Sequence, residues 1–221
     1  MMRHTLLTFM ALLMLLAPAA CAQPRPVAHS RVSIAEAEQL VQTMFLHQMP
    51  DLNPTVEFPL TELTTDEVWL RLGAQVFQVN EGIYQFATYL IKDKEVVPLG
   101  TGFGGVGLTS MCVTDLDQNG NPELVYTYSF GSGIHRSQVA LYSADLPEPH
   151  SLEARIAYRD DDWTLERHDD RTVFVTIARG KPGRDRLRVG QVVLERQGEQ
   201  VAFDLRLDEN LPPDVLERIW R

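Results

Sequence analysis

The chain has 221 residues, 44% of them hydrophobic and 23% charged, and its 20 Lys and Arg against 30 Asp and Glu give a formal net charge of -10. That length and apolar content are enough for a substantial buried core and exclude a chain that is disordered throughout. The acidic balance excludes a protein that grips nucleic acid through a phosphate-neutralising surface, and it suits the binding of cations.

At the N-terminus, Arg3 supplies a basic start, Leu6 to Leu16 an apolar run, and Pro18 to Ala22 a small-residue exit. Residues 1–22 therefore read as a secretory signal peptide whose apolar run is too short to span a membrane as a helix. The segment Leu16-Ala17-Pro18-Ala19-Ala20-Cys21 resembles a bacterial lipoprotein lipobox, with Pro18 where Leu is usual. The resemblance implies lipidation of Cys21 and a membrane anchor. Ordinary cleavage after Ala22 is the alternative, since Ala20-Cys21-Ala22 also fits the A-x-A rule. Both routes place the protein in the exported cell envelope, either periplasmic or anchored to the outer membrane. With Cys21 acylated or removed, Cys112 is the one remaining thiol. It reads as a buried, inert group rather than a nucleophile. Residues 23–32, with Pro24 and Pro26, suit an extended tether.

A single α+β domain is expected over residues 33–221, with a soft boundary near 146–150. Ser33-Ile34-Ala35-Glu36 is a capping box. Behind it, Ile34, Ala37, Leu40, Val41, Met44 and Phe45 recur at helical spacing, so an amphipathic helix should run to just before Pro50 and pack on sheet. From Glu67 onward the period is two. Antiparallel strands are expected over 68–79, 83–91, 109–114, 124–130 and 138–142, then over 153–158, 163–167, 172–178, 186–195 and 201–207. Turn residues separate them, which describes a meander of hairpins. Asn210-Leu211-Pro212-Pro213 then opens a short C-terminal helix carrying Val215, Leu216, Ile219 and Trp220. One loop of cation type is too few for a propeller.

That loop carries the strongest chemical signal. Asp115, Asp117, Asn119, Asn121 and Glu123 alternate along the chain, with Gly120 at the turn. A hard cation such as Ca2+ takes six to eight oxygens, and a short loop delivers them when alternate side chains converge around a sharp turn. Counting from Asp115, position 12 is Tyr126 instead of the bidentate Glu of an EF-hand, and the following Leu124-Val125-Tyr126 is strand-like. The run Asp115-Leu-Asp117-Gln-Asn119-Gly120-Asn121-Pro122-Glu123-Leu124 resembles the calcium loop of an integrin-type FG-GAP or VCBS-like repeat, present here in single copy. The resemblance implies ligation through the side chains of Asp115, Asp117, Asn119 and Glu123 and through the Asn121 carbonyl. Two Asn in place of Asp imply an affinity in the extracellular range, on the order of 10⁻⁴ to 10⁻³ M. The competing reading is an ion-free type I′ turn at Asn119-Gly120.

Beyond the loop, Ser129-Phe130-Gly131-Ser132-Gly133-Ile134-His135-Arg136-Ser137 joins flexible glycines to a His-Arg pair. It reads as a ligand-facing segment or as a plain glycine hairpin. A catalytic group, if the protein has one, would be His135 with Ser132 or Ser137. Gly100, Gly102 and Gly105 spell G-x-G-x-x-G, but an extended segment follows them where a dinucleotide site needs a helix. His150 and His168 lack zinc-motif spacing. Two functions are therefore expected in order. The first is an exported, lipid-anchored, calcium-stabilised module that binds a protein or glycan; the second is an envelope hydrolase.

Overall fold

The computed structural model describes residues 29–49, 57–82, 84–100, 105–131, 133–148, 150–179, 185–198 and 200–220. The signal peptide, Cys21, most of the tether, Ser132 and Gly102 lie outside them. Among the described residues the protein is built mainly of antiparallel strands in three sheets, with three helices. No helix among the described residues is long and apolar enough to cross a membrane.

Helix α1 (Ile34–Gln48) starts where the Ser33 hydroxyl accepts the Glu36 amide at 3.2 Å. The Glu36 carboxylate meets Lys94 Nζ at 2.9 Å. Ala37, Val41 and Phe45 are buried, whereas Ile34, expected on the same face, stays 47% exposed. Strands β1 (Leu60–Glu62), β2 (Gln75–Val79), β3 (Thr88–Lys92) and β4 (Glu95–Pro98) form the first sheet in that order.

Between β1 and β2 the chain departs from the expected strand beginning at residue 68. Asp66–Leu72 forms helix α2. The Thr65 hydroxyl caps it by accepting the Val68 amide at 3.2 Å, Asp66 and Glu67 lie in its first turn, and Gly73 ends it at φ +62°. Those capping groups decide for a helix where the short apolar run Val68 to Leu70 would suit a strand as well. The expected strand over 83–91 also begins later, because residues 84–86 turn and Phe86 sits at φ +71°.

The central sheet contains β5 (Gly107–Thr114), β6 (Glu123–Phe130), β7 (Arg136–Tyr142), β8 (Ser151–Arg159) and β13 (Ile219–Trp220), ordered β13-β8-β7-β6-β5. The third sheet runs β12-β11-β10-β9, from β9 (Thr164–Arg167), β10 (Val173–Arg179), β11 (Asp185–Gln197) and β12 (Gln200–Leu207). The C-terminal helix, α3, spans only Pro213–Leu216. Ile219 and Trp220 were expected on that helix and instead pair with Tyr158 and Ala157. A single turn of helix buries Val215 alone, and pairing along β8 satisfies the backbone that follows.

Three apolar clusters give the layering. Ala37, Val41 and Phe45 belong to one buried apolar cluster with Phe77, Tyr89 and Ile91 of the first sheet. The other face of that sheet sends Val76 and Leu90 to Leu124, Tyr126 and Tyr142 of the central sheet, joined by Val68 and Leu72 of α2. The opposite face of the central sheet places Val125, Val139 and Leu141 against Val175, Val192 and Phe203 of the third. β6 is thus covered on both sides, which is why every residue from Glu123 to Ser129 is buried, the polar Glu123, Thr127 and Ser129 included. Leu146 joins the same cluster from the β7–β8 connection.

Candidate metal centre

The acidic loop spans residues 115–122 between β5 and β6. Its base is tied down from two directions. The Asp115 amide donates to the Asp170 carbonyl at 2.9 Å. Arg71 and Arg167 both donate to the Val113 carbonyl, at 3.1 and 2.7 Å. Inside the loop, Gly120 N–H donates to Asp115 Oδ2 at 3.2 Å, Asn119 N–H to Asp117 Oδ1 at 3.2 Å, and Asn121 N–H to Asn119 Oδ1 at 2.7 Å. Left-handed φ angles fall on Gln118 (+60°) and Gly120 (+86°). A type I′ turn would need them at Asn119 and Gly120, so the loop is not that turn.

These bonds fold the loop inward. Carboxylate oxygens of Asp115, Asp117 and Glu123 lie within 4.8 Å of one another. Glu123, at the first position of β6, is fully buried. The Leu116 amide donates to its Oε2 at 2.9 Å, but among the described residues its Oε1 has no hydrogen-bond partner, and neither does the buried Oδ1 of Asp115. Burial, followed by the charges of Asp117 and Asp115, pushes the Glu123 carboxyl up to about 7, against the pull of the Leu116 amide and Arg196. Two buried carboxylate oxygens without donors are costly in an apolar setting, and a hard cation would satisfy both.

Two residues that the sequence reading missed complete the surroundings. Asp145, in the β7–β8 connection, accepts from Asn121 Nδ2 at 2.8 Å and Asn119 Nδ2 at 3.4 Å. It therefore orients the side chains of both asparagines of the loop. Arg196, near the end of β11, donates through Nε to Asp117 Oδ2. Each lies far from the loop in sequence, so no local spacing signals it.

The segment following the loop is organised differently. His135 Nε2 meets Asp162 Oδ1 at 2.7 Å, and both side chains are partly exposed. Ser137, one of the expected nucleophiles, is buried, and its hydroxyl accepts the Trp163 amide at 2.9 Å. It therefore anchors β7 to the residue that leads into β9. Gly131 sits at φ +110°, and a Cβ there would lie 2.3 Å from the Ile134 carbonyl, so this turn requires glycine. The glycines at 100 and 105 precede β5 and not a helix, which removes the context a dinucleotide site needs.

A second cluster joins Glu95 of β4 to Glu148 and His150, which sequence spacing had set aside. His150 Nδ1 donates to the Leu146 carbonyl at 2.6 Å, and Nε2 lies 3.4 Å from Glu95 Oε1. Both carboxylates are exposed. Elsewhere, a concavity of about 710 Å³ opens beside Phe174, Leu187, Arg188, Asp208 and Asn210, away from every residue selected from the sequence.

Cys112 lies in β5, where burial pushes its thiol up to about 12 despite the neighbouring Arg167. A thiol so far from ionisation is a poor nucleophile. In the native protein at pH 8, the peptide carrying Cys112 should remain unmodified by iodoacetamide over a period that fully labels it in denaturant. Rapid native labelling, read by mass spectrometry, would contradict this burial.

Comparison with known protein families, characterised proteins and solved structures finds no match to this chain.

Proposed function

We propose that the protein is an exported, lipid-anchored module whose 115–123 loop binds calcium as a structural ion, and that the ordered loop presents neighbouring segments to a protein or glycan partner. The observation that carries the reading is the pair of unpartnered buried oxygens, Glu123 Oε1 and Asp115 Oδ1, inside a three-carboxylate cluster. Oxygen donors without nitrogen or sulfur favour calcium or magnesium over zinc. The flexible, loop-borne set suits the looser coordination of calcium. In this reading the loop is a single FG-GAP or VCBS-like calcium loop, and α1 closes the outer face of the first sheet. Residues 1–22, with Cys21, supply export and the membrane anchor.

The bound ion would fix the β5–β6 connection and therefore the register of the two strands. Millimolar calcium should raise the melting temperature of the protein, and Asp115→Ala combined with Asp117→Ala should remove that rise. An unchanged melting curve for the wild type in calcium against chelator would end the reading. The hydrolase alternative gains the His135–Asp162 pair, but the hydroxyl of Ser137 is committed to Trp163. The geometry therefore favours the binding module.

A further inference from the structure

Arg196 belongs to the third sheet, yet its guanidinium reaches the loop between two strands of the central sheet. Asp117, the carboxylate it meets, has a side chain only 7% exposed. Both oxygens of Asp117 are engaged. Oδ1 takes the Asn119 amide, and Oδ2 takes Arg196 Nε together with Asn119 Nδ2 at 3.3 Å. An ion loop retains the first of these bonds as part of its turn, so the oxygen free to become a ligand is the one Arg196 holds. Arg196 itself is poorly satisfied there, because its Nη2 is buried without an acceptor among the described residues. A guanidinium prefers to fill its fork bidentately. The buried, unpartnered Glu123 Oε1 in the same cluster marks a further place for positive charge that the arginine does not reach.

We propose that Arg196 is an internal counter-cation for the 115–123 loop and competes with the bound metal ion for Asp117, so that ion binding releases the tip of the β11–β12 hairpin. This rests on the reading of the loop as a calcium site. It assigns that site a specificity-setting residue outside the loop and a mechanical output. Arg196 pairs across the hairpin with Val201, and Gln197 with Gln200 closes the strand ends. Asp117 is therefore a tether point for the tip. Two cations cannot share one carboxylate oxygen without repulsion, so each weakens the other's hold by the same factor.

The test is calcium titration of the full chain by calorimetry, for wild type, Arg196→Gln and Arg196→Lys, with amide hydrogen exchange of the wild type measured in chelator and in calcium. Arg196→Gln removes the competing charge and should bind calcium about tenfold more tightly, a coupling of ordinary size for linked sites. Arg196→Lys keeps the charge and should stay close to wild type. In wild type, calcium should speed exchange at residues 195–198 and 200–202 while slowing it across 115–123. Exchange needs no variant to fold, so it decides the matter even if Arg196→Gln is unstable. Calcium binding by wild type with equal or weaker binding by Arg196→Gln, and no faster exchange at the hairpin, would overturn the role of Arg196 and leave the calcium site standing. Absence of calcium heat in all three proteins, with unchanged exchange throughout, would overturn the calcium site and this inference together.

Discussion

Glu123→Gln should make the ion-free protein more stable at pH 8 and should also abolish its response to calcium. In the folded chain this carboxyl titrates near 7, pushed up first by burial. In the unfolded chain it would titrate near the ordinary glutamate value of about 4.3. A carboxyl raised in this direction binds its proton more tightly when folded. Its charge therefore costs nothing below the unfolded pKa, and the cost grows as pH rises through the folded one. At pH 8 the cost is fully present, roughly 4 kcal/mol by the conversion of 1.36 kcal/mol per unit. For a domain of this size that corresponds to a melting shift on the order of 10 °C.

The amide of glutamine avoids the charge. It can keep accepting from Leu116 N–H, and its NH2 group gives the unpartnered Asp115 Oδ1 a donor. On the proposed calcium reading the same change removes an anionic ligand, so calcium should no longer stabilise the variant. Thermal melts of both proteins at pH 5 and pH 8, in chelator and in millimolar calcium, test the two halves separately. A variant that melts below wild type at pH 8 in chelator would show that Glu123 stabilises the fold as a charge. A variant with the full wild-type calcium shift would remove Glu123 from the ligand set.

Trp163→Ala should be the most damaging single change to the packing. Trp163 is fully buried and lies almost parallel to Tyr158, with ring centroids 5.9 Å apart. Its backbone also knots the layers together. The carbonyl accepts from Thr109 Oγ1 and Thr127 Oγ1, each at 3.0 Å, and the amide donates to Ser137. Truncating a buried tryptophan costs about 3–5 kcal/mol through lost transfer energy and the cavity left behind. The indole Nε1 has no acceptor among the described residues, so part of the wild-type burial is wasted on an unsatisfied donor. Trp163→Phe should therefore cost clearly less than Trp163→Ala, because it keeps an aromatic ring against Tyr158 and removes that donor. Urea unfolding followed by circular dichroism gives both values. A cost below about 1 kcal/mol for the alanine variant would mean the site collapses around the gap or the ring packs little.

The loop was legible because its chemistry is local. Carboxylates at alternate positions around Gly120 can be read without knowing the fold, and the strands on either side follow from their β-branched and aromatic content. Helix α2 was not legible. Val68, Trp69 and Leu70 form a short apolar run with Leu72 beyond Arg71, which a strand would accept as well as a helix, and what decides the conformation is a threonine cap and a left-handed glycine at the two ends. Ile219 and Trp220 misled in the opposite direction. Their spacing from Val215 fits a helix, and only the presence of β8 gives them strand partners. The residues around the acidic cluster divide in the same way. Those within the loop were visible, while Asp145 and Arg196, respectively 24 and 79 positions from the residues they contact, depend on the sheets having assembled.

The connectivity of the sheets also shapes how the chain finds its structure. Every hydrogen-bonded neighbour within the first and third sheets is adjacent in sequence, and in the central sheet only β13 joins a strand distant from it, β8. Most pairing is therefore achieved by successive hairpins, each closing a short loop at small entropic cost. The central sheet is different in kind, because its two faces are completed by layers that lie before and after it in the chain. A chain made or translocated from its N-terminus can zip each sheet as it emerges, but the central strands keep an open apolar face until the β9–β12 hairpins arrive. That interval, rather than any single pairing step, is when the protein is most prone to aggregate.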